Sequence, residues 1–412
     1  SPSTPKQNVN RTPVMQVRAF VLRRLTLTLV MMWSDSHTNV NRLLSDREDS
    51  IVIIRLTRLP LSVLSIFAFT AFVMAPASAQ SLTANEKLYA DLAKLPAKER
   101  HARIVAGAKK EGEFEYVNTL SRSIIRGLKK KFTKKYPFLK LKFTNKGSQD
   151  ATEQLFSEEK AGRHLTDAIG IGVPDYTALA GSNIAAAYPT PAIKSIKSEF
   201  KGFIDPKNEF LPFYWSSHGI TYNTKLVKNP PKSWMDLCHA RFKGKASFEP
   251  AETRFLIGLY NLFGKDFNKV EAWIQCMAKN KPVIQRGHTA RLRLMLSGDH
   301  AISADQYLYR GFSMKKKKKS LPFGIAENVP VLGYAGAVVI NKNAPHPYAA
   351  ALWADFLLTK SAQKVMAKKS RGTLTLPTKY LPKGAKLVIY GYADKKTADK
   401  LHEIWGKHIA SR

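Results

Sequence analysis

After residue 100 the chain alternates helical and strand periods, which restricts it to a layered α/β fold, since a sandwich or a bundle would hold one period throughout. Residues 98–110 read as a helix closed by Gly112, 114–117 as a short strand, and 121–136 as an amphipathic helix stopped at Pro137. A strand at 139–144, a helix at 150–161 and a strand at 167–171 complete a β-α-β-α-β run. Such a run predicts parallel pairing, because strands pointing the same way need a long crossover between them. Residues 212–224 and 329–340 are longer apolar strands. Between them lies a second α/β unit, with helices at 233–237, 253–263, 269–279 and 289–296 and strands at 244–248, 282–284 and 301–304. Helices at 347–359 and 361–369 follow. Two long strands around an inserted unit predict two lobes, a two-stranded hinge and a cleft.

In open α/β sheets ligands gather beyond the carboxyl ends of strands. Three loops fit that rule, 118–122, 145–150 and 172–176, and nominate Thr119, Ser121, Arg122, Ser148, Gln149 and Asp175. Each loop opens a helix whose first amides either bind an anion or are capped locally. In the inserted unit, Glu252-Thr253-Arg254 and Arg286-Gly287-His288-Thr289 each start a helix after a strand, nominating Thr253, Arg254, Arg286, His288 and Thr289. Arginine holds a carboxylate or phosphate through two parallel hydrogen bonds; for Arg254 the competing reading is a plain surface charge. Tyr214, Trp215, His218 and Tyr334 lie on or beside the long strands and either stack on a solute or pack between lobes. His218 reads as a structural histidine.

Residues 55–79 read as an export signal. Arg55 and Arg58 precede an apolar run from Leu59 to Met74, and Ala77-Ser78-Ala79 offers a cleavage site before Gln80. The run is shorter than the roughly 20 residues of a membrane span, so a cleaved signal is expected in place of a retained anchor. Residues 1–54 are expected to be a spurious or disordered extension. The net charge of +35 would attract anions, anionic lipid or an acidic partner. Nucleic acid is not expected, because the basic residues are scattered and no RNP-like, zinc-finger or basic-region pattern occurs. The run 315–319 reads as a solvated loop. Cys238 and Cys276 either form one disulfide, the preferred reading, or remain two buried thiols; Cα atoms within about 7 Å are required for the first.

Six segments occur in order over residues 98–370: Ala108-Lys109-Lys110-Glu111-Gly112, Phe132-Thr133-Lys134-Lys135-Tyr136-Pro137, Thr221-Tyr222-Asn223-Thr224-Lys225-Leu226-Val227, Pro231-Lys232-Ser233-Trp234-Met235-Asp236-Leu237, Phe242-Lys243-Gly244-Lys245 and Asn343-Ala344-Pro345-His346-Pro347. In this the chain resembles bacterial ABC-transporter substrate-binding proteins, in the class that holds ferric-ion-binding proteins and their relatives for organic and phosphorylated solutes. The resemblance implies a type II periplasmic-binding fold, with residues 80–215 plus 338–412 as one lobe and 216–337 as the other. It implies a periplasmic monomer that closes on a small-molecule solute and passes it to an ABC permease, with no catalytic residue and no cofactor. It also places ligand contacts at Tyr307 and Tyr309.

Ferric members carry a His after the first strand, a Glu after the third and a Tyr pair late in the second lobe; here those positions hold Leu120, Gly172 and Gln306-Tyr307. That is a poor cage for a hard trivalent cation. An anionic or polar organic solute is therefore expected. A ferric receptor using Tyr307 and Tyr309 is the alternative within the fold. An exported hydrolase is the alternative of another class, and no G-x-S-x-G, H-E-x-x-H or placed Cys/His pair supports it. Charge alone would suit a basic envelope-binding protein.

Overall fold

The computed structural model describes residues 82–377 and 380–410; the expected extension (1–54) and signal (55–79) lie outside the described residues. The chain runs through α1 (Ala84–Lys94), α2 (Ala97–Glu111), β1 (Glu113–Asn118), α3 (Arg122–Lys135), β2 (Lys140–Asn145), α4 (Ser148–Lys160) and β3 (Ala168–Gly172). Thr83 opens α1 in a capping box with Glu86, and α2 stops where Gly112 takes a φ of 73°. β1 pairs with β2 and β3 in parallel, so the carboxyl ends of all three share one edge.

A 3-10 turn (Val173–Ala178) and further short turns lead to β4 (Leu211–Asn223). The second unit then comprises β5 (Ala246–Phe248), α5 (Thr253–Leu262), α6 (Phe267–Lys279), β6 (Val283–Ile284), α7 (His288–Ser297), β7 (Ile302–Tyr307), α8 (Leu308–Lys317) and β8 (Phe323–Ile325). β9 (Val331–Ile340) leads out to α9 (Pro347–Leu357), α10 (Lys360–Lys368), β10 (Gly372–Thr373), β11 (Leu387–Tyr390) and α11 (Lys395–Trp405).

One mixed sheet carries these elements in the order β2-β1-β3-β9-β4-β7-β5-β6. β4 and β9 run antiparallel at its centre, from Leu211 opposite Val338 to His218 opposite Leu332. The later part of β9 also pairs with β3, and the later part of β4 with β7. Each long strand therefore serves both halves. Two apolar cores follow, one around Phe114, Phe132, Trp215 and Trp353, the other around Phe248, Phe255, Trp273 and Trp405. The fold is two-lobed, with β4 and β9 as its hinge.

Some expectations need correction. Lys315, Lys316 and Lys317 form the last turn of α8 and not a loop, and Lys315 Nζ donates to the Leu321 carbonyl at 2.6 Å. α11, expected in the first lobe, buries Leu401, Ile404 and Trp405 in the second core. The expected helix at 233–237 is a 3-10 turn (Met235–Cys238), with Ser233 and Asp236 bonding each other at its start in the manner of a helix cap. A disulfide joins Cys238 to Cys276, with Cα atoms 5.5 Å apart. No helix among the described residues is long and apolar enough to cross a membrane.

Candidate functional site

Arg254, the second residue of α5, spans the seam between the lobes. Its Nε donates to the two Asp175 oxygens at 3.1 and 3.0 Å, and its Nη2 to Ser148 Oγ at 3.0 Å, both on the first lobe. Its Nη1 donates to the Tyr307 hydroxyl at 2.8 Å on the second. Gly172 leaves the space this needs, because a Cβ there would lie 3.0 Å from Arg254 Nε and 3.3 Å from Asp175 Oδ2. Burial works most strongly to lower the Arg254 pKa, but Asp175, Tyr307 and Tyr334 together outweigh it and hold the value well above the ordinary one. Arg254 is thus a charged and neutralised strut.

Tyr307, at the end of β7, donates its hydroxyl proton to Glu252. Glu252 Oε2 lies 3.0 Å from His218 Nε2 and 3.1 Å from His288 Nε2. Burial alone would raise the Glu252 carboxyl; the two imidazoles beside it prevail and hold it well below the usual carboxylate range. Burial drives the Tyr307 phenol well above its ordinary value, and Glu252 adds to the rise against the opposing Arg254. The hydroxyl keeps its proton.

His218, Glu252 and His288 form a group that could hold a metal ion by proximity. Arg291 argues against that use. It is anchored by Asp305 at 2.6 Å, both side chains fully buried, and its Nη2 lies 2.9 Å from His288 Nδ1. A guanidinium can only donate, so His288 Nδ1 accepts and the ring proton sits on Nε2, facing Glu252. That nitrogen then has no lone pair for a metal. Both imidazoles stand within ion-pair distance of one carboxylate, although Glu252 Oε2 and His218 Nε2 make no hydrogen bond of acceptable geometry among the described residues.

Arg371, just ahead of β10, differs. Its guanidinium carbon lies 3.5 Å from the Tyr309 ring centre and 5.1 Å from that of Tyr214. Nη1 donates to Ser216 Oγ at 3.2 Å, while Nε has no hydrogen-bond partner. The residue is 7 % exposed, and no carboxylate pairs with it among the described residues. Arg310 lies 5.3 Å from the same Tyr309 ring. Tyr334 lies under Arg254, its phenol pushed up to about 12 mainly by burial.

Of the residues nominated from sequence, Ser148, Asp175, Arg254, His288, Tyr307 and Tyr309 come together here. Gln149 and Thr253 line an adjoining cavity of about 640 Å³ with Asp175 and His402, and bond Glu153 and His402 respectively. Thr119, Ser121, Arg122, Arg286 and Thr289 make no hydrogen bond or ion pair with the cluster among the described residues, and Ser121, Arg122 and Arg286 are exposed. Leu120 is buried in the first core. Gln306 is fully buried and accepts from Ser303. Sequence reasoning missed Glu252, His218 and Arg371 as parts of the site. Glu252 directly precedes a nominated helix start, whereas Arg371 offered only its place between a helix and a glycine.

The profile of the bacterial extracellular solute-binding proteins matches residues 127–387. This chain belongs to that family. No curated protein sequence matches this solute-binding protein. Solved structures are similar to it in fold. The substrate-binding protein of an ABC transporter from Agrobacterium tumefaciens has a TM-score of 0.61 at 12 % identity, over 72 % of this chain and 94 % of that one. AfuA from Actinobacillus pleuropneumoniae, with fructose-6-phosphate bound, has 0.59 at 18 % identity, over 73 % and 99 %. Iron-bound HitA from Pseudomonas aeruginosa has 0.58 at 17 % identity, over 72 % and 97 %. The shared fold is that of two-lobed, type II periplasmic binding proteins.

Proposed function

We propose that this solute-binding protein is the periplasmic receptor of an ABC importer, capturing a small anionic organic solute between its lobes and delivering it, as a monomer, to a membrane permease. Arg371 carries the reading. An unpaired buried cation costs several kcal/mol, and a solute anion placed against it would supply the missing charge and hydrogen bonds. Tyr309 and Tyr214 already border that position with flat apolar faces. Because Arg371 is 7 % exposed, an anion reaches it only with the lobes parted, and closure then gains contacts absent from the open state. In this reading residues 80–215 and 338–390 make one lobe, and 216–337 with α11 the other. The chain performs no bond chemistry.

Ferric ion as cargo fits less well. The Tyr307 hydroxyl is protonated and committed to Glu252, and His288 presents a proton where a metal would need a lone pair. Thermal melting with inorganic phosphate, citrate, fructose-6-phosphate, spermidine and ferric ion tests the reading. An anion present at a hundredfold over its dissociation constant should stabilise by about 2.7 kcal/mol. Stabilisation by spermidine or ferric ion and by none of the anions would remove it.

A further inference from the structure

The first lobe also carries a basic face that takes no part in the solute site. α3 and α10 pack together where Gly127 meets Val365, so closely that a Cβ on the glycine would lie 2.8 Å from Val365 Cγ1. Beside this crossing, Arg122, Arg126, Lys130 and Lys134 stand at four-residue steps along α3. Lys360, Lys364 and Lys368 do the same along α10. All are exposed, none is in an ion pair among the described residues, and neither helix contains an acidic residue.

That pattern works against the helices. Like charges four residues apart repel, and Arg122 and Lys360, each the first residue of its helix, oppose the helix dipole. α11 shows the arrangement that folding alone favours: Lys395 pairs with Asp399 and Lys400 with Glu403. Two neighbouring helices that both forgo such pairing answer a demand other than stability.

We propose that this face docks on an anionic phospholipid surface. Protein interfaces are depleted of lysine and rely on aromatic or apolar anchors, and none of the exposed large apolar side chains lies on α3 or α10. A head-group layer needs no anchor. It attracts each lysine as a point charge over a Debye length of about 8 Å at physiological salt. Docking holds the receptor against the bilayer that contains its permease.

Co-sedimentation of the purified full chain with vesicles tests this, using mixed phosphatidylglycerol and phosphatidylcholine against phosphatidylcholine alone. Binding is expected to the anionic vesicles only, weakening as salt rises. Replacing Lys130, Lys134, Lys364 and Lys368 with Gln should weaken it roughly a thousandfold without lowering the melting temperature, whereas Arg at the same four positions should preserve it. Equal binding to both vesicle types, or undiminished binding by the Gln variant, overturns the proposal. So does tighter binding to a DNA duplex through the same four residues, which would make nucleic acid the partner.

Discussion

Arg254 and Arg371 are both arginines withdrawn from solvent near the hinge, yet Arg254 meets Asp175, Ser148 and Tyr307 while Arg371 meets two tyrosine faces and one serine hydroxyl. The more deeply buried of the two is the one without a counter-charge. A satisfied cation is accounted for by architecture: Arg254 ties one lobe to the other. An unsatisfied one is accounted for by what arrives later, because folding by itself disfavours burying a charge that nothing neutralises.

The contrast breaks first at Arg371. Arg371→Met should cut anion affinity by about three orders of magnitude, read by calorimetry, while the unliganded protein melts at the same temperature or higher. A large loss of stability without ligand would mean that Arg371 is structural. Arg254→Met should do the reverse, destabilising the protein by about 3 kcal/mol in denaturant titration, because it strands the Asp175 carboxylate. An unchanged midpoint would show that the strut carries little.

Acid sharpens the comparison. The folded-state pKa of Glu252 lies below its unfolded value. Its stabilisation is therefore complete above the ordinary carboxylate range near pH 4.3 and is lost as pH falls through and below that range. Glu252→Gln should lessen the pH dependence of unfolding in that window, followed by circular dichroism; an unaltered acid limb would detach Glu252 from the network. The smallest effect is expected from Tyr307→Phe, which removes the donor to Glu252 and the acceptor for Arg254, at about 1–2 kcal/mol.

The layered fold was legible because periodicity is a local property: the apolar run at 329–340 read as a strand and is buried along β9. Arg254 was legible for the same reason, standing at a helix start after a strand. Arg371 was not. Its neighbours Ser216, Tyr214 and Tyr309 lie far away in sequence, and the missing carboxylate is a fact of packing that no spacing encodes. The Glu252 network likewise joins β4, α5, α7 and β7, four elements whose meeting depends on the hinge pairing of His218 with Tyr307. The lysines at 315–317 misled because charge density marks exposure and says nothing of whether the backbone is wound.

Gly172 gives the site a clearance one atom wide. A side chain at that position would crowd the room through which Arg254 crosses, with its Cβ 3.0 Å from Arg254 Nε, so the brace would have to shift to admit it. The brace between the jaws thus asks for the smallest residue at the point where it crosses.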